Sequence, residues 1–158
     1  DGEKSGKTDF TAYKRSRVFV YRDDNTGHLF VGILHNNANL DAENSGAMSL
    51  KITAPSYASF EIKEDPADLI PTGSLTDAIS TWYWTDKTDG GMIYLGDQLT
   101  WEVEISPFVD ATHILKGITA WDFLSADSSG KNIASTFSLD TYDWVNPVPK
   151  YRIVISKE

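Results

Sequence analysis

Residues 81–106 read TWYWTDKTDGGMIYLGDQLTWEVEIS, and their alternation decides the fold class. Side chains along a strand point alternately to opposite faces, so Trp82 and Trp84 share one face and Tyr83 takes the other. The polar, glycine-ended stretch from Asp86 to Gly91 turns the chain into a second apolar run, Met92 to Leu95. Gly96, Asp97 and Gln98 turn it again. Leu99, Trp101, Val103 and Ile105 then alternate with Thr100, Glu102 and Glu104, the pattern of a strand with one buried and one wet face. Three consecutive strands, read as a meander, are the expectation here.

Outward from that stretch the same signals recur. Residues 17–22 (RVFVYR) and 29–35 (LFVGILH) flank the turn-forming Asp-Asp-Asn-Thr-Gly at 23–27, which predicts a hairpin. Both strands are apolar on both faces and should lie centrally in a sheet covered on each side. A polar loop at 36–46 leads to strands at 47–54 and 57–64. Residues 65–80 carry two prolines and a glycine without period-two alternation and leave room for helical turns at 65–70 and 75–79. A second hairpin is expected from 115–125 and 133–140. Residues 141–150, with Trp144 and two prolines, should run irregularly along an edge before a closing strand at 151–156.

About nine short strands with no helix-period segment imply an all-β, antiparallel two-sheet β-sandwich, jelly-roll or immunoglobulin-like, with a closed barrel as the alternative. At 158 residues the chain is long enough for one domain with a real core. Residues 1–9 read as a flexible polar leader and 10–158 as the domain.

The formal net charge is −9, unevenly placed. Residues 23–149 hold nineteen acidic and five basic side chains, a balance of −14, while six of the fourteen basic residues fall in the first 22. An acidic body repels phosphate backbones, which excludes nucleic acid as a partner. There is no cysteine, so disulfides and thiolate metal sites are excluded. No apolar run approaches the ~20 residues of a membrane span. The expected setting is secreted or cell-surface, with a signal or anchor segment removed.

Candidate sites come from two residue classes. The chain has five tryptophans among 12% aromatics. Two indoles at i and i+2 on a strand lie about 7 Å apart, and an apolar sugar face packs on an indole face. Trp82 and Trp84, with Trp121 and Trp144, are therefore the candidate glycan-binding residues, the alternative being that they are core. Calcium takes six to eight oxygens from carboxylates and carbonyls, so the Asp-rich turns are candidate metal sites: Asp23 and Asp24, and Asp86 and Asp89. Asp41 and Glu43, and Asp127 with Asn132, share the composition. Ordinary turn chemistry uses the same residues.

Catalytic signatures are weaker. Glu102 and Glu104 share a strand face, but retaining glycoside hydrolysis needs carboxyls ~5 to 5.5 Å apart in a cleft. The three histidines, 28, 35 and 113, show no paired spacing, and there is no Gly-x-Ser-x-Gly elbow. The expectation is a non-catalytic extracellular module binding a polysaccharide or glycan, with calcium as a candidate cofactor. The alternatives are a structural or adhesion domain acting through protein contacts and a glycosidase-like hydrolase.

Overall fold

The computed structural model describes residues 12–36, 45–61, 68–85, 87–110, 112, 115–125, 132–138 and 153–157. Eleven strands and no helix are found among them: β1 (Arg15–Arg22), β2 (Leu29–His35), β3 (Ser45–Thr53), β4 (Ser59–Phe60), β5 (Ala78–Thr85), β6 (Asp89–Gly96), β7 (Trp101–Pro107), β8 (Leu115–Lys116), β9 (Ala120–Ser125), β10 (Asn132–Ser138) and β11 (Ile153–Lys157). They form two sheets. Sheet A has six strands in the order β10-β9-β1-β2-β6-β4, and sheet B has β11-β7-β3-β5 with β8 beside β3. The sheets pack face to face as a β-sandwich, and among the described residues no closed barrel is formed. Of the strand expected at 57–64 the described residues hold only the two-residue β4, and the one expected at 115–125 is split into the two-residue β8 in sheet B and β9 in sheet A.

The β1–β2 and β9–β10 hairpins form as the turn residues dictate. The expected meander does not. The strands β5, β6 and β7 exist, but β5 and β7 lie in sheet B and β6 in sheet A. The turn after β5 therefore crosses between sheets: β5 pairs with β3, and β6 with β2. Residues 75–79 hold no helical turn, since Ala78 and Ile79 already belong to β5. The segments 1–11, 62–67 and 139–152 lie outside the described residues, and with them the leader, the first half of the helical turn expected at 65–70 and the irregular edge. Residues 68–70 are described and hold no helix, since Leu69 bridges Thr81 of β5.

One sheet pairing is parallel. Strand β9 runs alongside β1 with Arg17 opposite Asp122 and Ser16 opposite Trp121. A parallel ladder is slightly weaker per residue than an antiparallel one, and here charge reinforces it. The fully buried Asp122 accepts from Arg15 Nε at 2.7 Å, from Arg17 Nε at 3.2 Å and from Thr136 Oγ1 of β10 at 2.8 Å. One carboxylate thus staples three strands.

The core lies between the inner faces: Val18, Val31, Ile33 and Ile93 from sheet A meet Met48, Leu50, Ile52, Trp82, Val103 and Ile105 from sheet B, all fully buried. Each such side chain contributes about 1.5–3 kcal/mol by leaving water, so the core outweighs any single polar contact in holding the sheets together. No helix among the described residues is long and apolar enough to cross a membrane.

Candidate functional site

The expected tryptophan platform is not on the surface. Trp82 and Trp121 are fully buried and Trp84 is 4% exposed, all within the core. The alternation that puts Trp82 and Trp84 on one face holds, but the face is the inner one, opposite Met48 and Gly46 of β3. Gly46 is required there, because a Cβ would strike the Trp84 ring and the Lys116 carbonyl. The indole N–H groups of Trp82 and Trp84 have no hydrogen-bond partner among the described residues. None of the three rings offers a face to a ligand. Trp144 lies outside the described residues.

Aromatic side chains do reach solvent elsewhere, on the outer face of sheet A. Strand register aligns Tyr21 of β1 with Phe30 of β2, Phe30 with Tyr94 of β6, and Tyr94 with Ser59 of β4. These residues form one straight row across four strands. The Tyr21 and Phe30 centroids are 6.2 Å apart at 49°, and Phe30 and Tyr94 are 5.4 Å apart at 61°. Tyr21 is 46% exposed, while Phe30 and Tyr94 are half-buried. His28 extends the row, edge-on to Tyr94 at 5.3 Å, with its Nδ1 3.2 Å from the Tyr94 hydroxyl. In the adjacent row Phe19, Gly32 and Met92 are aligned. The ring of Phe19 lies over Gly32, where any Cβ would collide with it.

This arrangement is written into the strands. In β1 the valines 18 and 20 alternate with Phe19 and Tyr21; in β2 Val31 and Ile33 alternate with Phe30; in β6 Ile93 alternates with Tyr94. Val18, Val31, Ile33 and Ile93 are buried in the core and the aromatics face out, while Val20, near the end of β1, is exposed. The expectation that β1 and β2 are central holds, but their outer side is a half-open aromatic face rather than a second buried one. Tyrosine suits such a place because its ring is apolar and its hydroxyl remains wet.

The acidic turns are occupied by their own backbone. The Asp23 carboxylate accepts from the Asn25 N–H at 2.9 Å and from Thr26 Oγ1 at 2.8 Å. These two bonds, the Asn25 one foremost, lower its pKa. Asp24 is exposed in the same turn. Asp89 opens β6 and accepts the Gly90 N–H at 2.7 Å, and Asp86 lies outside the described residues. Among the described residues no group of three or more His, Asp or Glu side chains is placed to hold a metal ion.

Glu102 is exposed and Glu104 half-buried on the outer face of sheet B, beside Ser156 and Val154 of β11. They occupy the wet face of a regular strand. A buried pair that sequence reading missed joins Ser16 Oγ to His35 Nδ1 at 2.8 Å. Both residues are fully buried, so the serine has no access to a substrate. Comparison of the chain with protein-family models, with curated proteins and with solved structures finds no match.

Proposed function

We propose that this chain is a non-catalytic, extracellular binding domain that takes a glycan on the outer face of sheet A. The observation that carries the reading is the row Tyr21, Phe30, Tyr94 and His28, an aromatic surface that the core does not use. Binding faces combine apolar ring surface with a few polar groups that orient the ligand. Here the Tyr94 hydroxyl and His28 lie at one end of the row, and the turn residues Asp23, Asn25 and Thr26 precede His28. Sugars match that mixture, with apolar C–H faces and hydroxyl edges.

The test is thermal unfolding of the wild-type chain against a panel of soluble neutral and acidic glycans, with and without calcium. A ligand that binds the native state alone stabilises it by mass action, by about 2.7 kcal/mol at a hundredfold excess over Kd, and so raises the melting temperature. A saturable rise with one glycan class supports the reading. No rise with any glycan removes it. A rise that needs calcium directs attention to the carboxylates of the loops.

A second reading, adhesion through protein contacts, is favoured by β11. Among the described residues this strand pairs with β7 alone, and its Val154 is 45% exposed on the outer face. An open strand edge with an apolar side chain is a template for strand addition from another chain. Concentration-dependent association lost in Val154→Lys would favour it over the glycan reading.

A further inference from the structure

We propose that His35 is an acid-sensitive lock between the two sheets: neutral, it fastens sheet A onto the tryptophans of β5, and on protonation it drives the sandwich open. His35 is the last residue of β2 and is fully buried. Its ring stacks on Trp84 of the facing sheet, centroids 5.7 Å apart and planes 14° from parallel. It also leans on Trp82 at 4.8 Å. Phe60 meets Trp82 edge-on at 5.9 Å, closing an apolar box. This histidine is a main contact between the layers at that end of the molecule.

The two ring nitrogens have different surroundings. Nδ1 is 2.8 Å from Ser16 Oγ, and Nε2 has no hydrogen-bond partner among the described residues. A neutral imidazole is served by the single Ser16 bond. An imidazolium carries two N–H donors. One can be accepted by Ser16 Oγ, while the other is left buried with a full charge and no hydrogen-bond partner among the described residues, an arrangement that proteins avoid.

Few charged groups surround the lock, and burial outweighs them. On β1, Ser16 shares its face, whereas Arg15 and Arg17 point to the opposite face and hold Asp122. From β5, Trp82 and Trp84 present no titratable group. On β6, Asp89 is the register partner of His35 and the carboxylate nearest in the row. Its Oδ1 accepts the Gly90 N–H, and its Oδ2 is buried on the same face as His35. Burial alone accounts for the depression of the His35 pKa, to about 3 from 6.5.

A depressed histidine contributes stability that is complete above its unfolded pKa, 6.5, and is drained as pH falls towards its folded value. Between those limits the unfolded chain holds one more proton than the folded chain, so the folded-to-unfolded ratio drops up to tenfold per pH unit. The release also has a structural address. Asn36, next in the chain, has φ 61° and ties the lock to its surroundings: its N–H bonds the Arg15 carbonyl at 2.8 Å, and its side-chain amide bonds the Lys87 carbonyl at 2.9 Å. Loss of the His35 contacts frees the start of β1 and the turn before β6 together.

Proton uptake on unfolding of the wild-type chain, measured calorimetrically in buffers of different ionisation enthalpy at pH 5 to 6, tests the proposal without a variant. The expected uptake approaches one proton above the background that His28→Gln and His113→Gln variants define. In His35→Gln, where the amide keeps a bond to Ser16 and cannot titrate, the stability slope between pH 6 and 5 should flatten. Zero uptake in the wild type, or an unchanged slope in a folded His35→Gln, would overturn it. Should His35→Gln fail to fold, the wild-type proton count alone decides.

Discussion

The ring of Phe19 lies against Gly32 of the neighbouring strand, so closely that a Cβ there would collide with it. This contact sets the height of the outer aromatic face, because Phe19 and Tyr21 follow one another on the same side of β1. Gly32→Ala must push Phe19 aside. Overpacking of this kind costs about 1–3 kcal/mol. Urea unfolding should show that loss, and glycan affinity should fall with it because the ring next to the row moves.

Asp122 provides the sharpest stability test. Its carboxyl is fully buried and shared by Arg15, Arg17 and Thr136. Burial acts to raise its pKa, but the hydrogen bond from Arg15, then that from Thr136, outweighs it and holds the group below the usual carboxylate value. Asp122→Ala leaves two arginines facing each other without their counter-charge, and a loss of about 3–5 kcal/mol is expected. The carboxylate's own contribution is present above its ordinary pKa of 3.8 and is lost as pH falls below it. The His35 loss begins higher, at 6.5, and runs down towards about 3, so stability should start to fall below pH 6.5 and fall more steeply once pH passes below 3.8.

Trp84→Ala should destabilise by about 3–5 kcal/mol, the range for removing a large buried aromatic. Wherever the variant remains folded, its glycan affinity should equal that of the wild type, since Trp84 faces inward. Emission from Trp84 should likewise be blue-shifted and unmoved by ligand. A ligand-induced emission shift traced to Trp84 would contradict the core assignment.

On the other sheet, Ser49 Oγ and Thr81 Oγ1 are 2.7 Å apart and almost wholly buried. Ser49→Ala leaves the Thr81 hydroxyl without that partner, at about 1–3 kcal/mol. Ser49→Ala combined with Thr81→Val should cost less than Ser49→Ala alone, which a double-mutant cycle would reveal.

Which strands form was legible; which sheet each joins was not. Asp23 to Gly27 specify a tight turn, so β1 and β2 had to pair. The residues from Asp86 to Gly91 have similar composition, yet the chain passes from sheet B to sheet A between β5 and β6, because β5 finds its ladder in β3 and β6 finds its ladder in β2. Those pairings are long-range, and no local residue announces them. Alternation placed Trp82 and Trp84 together but could not say which face was inner. The usable signal lay in Ala78 and Ser80, small side chains on the tryptophan face that leave room for a facing sheet. The aromatic row was present in the letters as valine or isoleucine alternating with phenylalanine or tyrosine in three strands. It became a site only when register lined Tyr21, Phe30 and Tyr94 into one row.

The central claim is that this row is the binding surface. Tyr21 is its most exposed member and makes no core contact, so Tyr21→Ala should leave the melting temperature within a few degrees of wild type. Titration calorimetry of Tyr21→Ala against the glycan that stabilises the wild type is the direct measurement. An affinity at least tenfold weaker, in line with the ~1.4 kcal/mol that one aromatic contact can supply, is the predicted result. Unchanged affinity in a folded Tyr21→Ala would contradict the account and place the ligand elsewhere on the molecule.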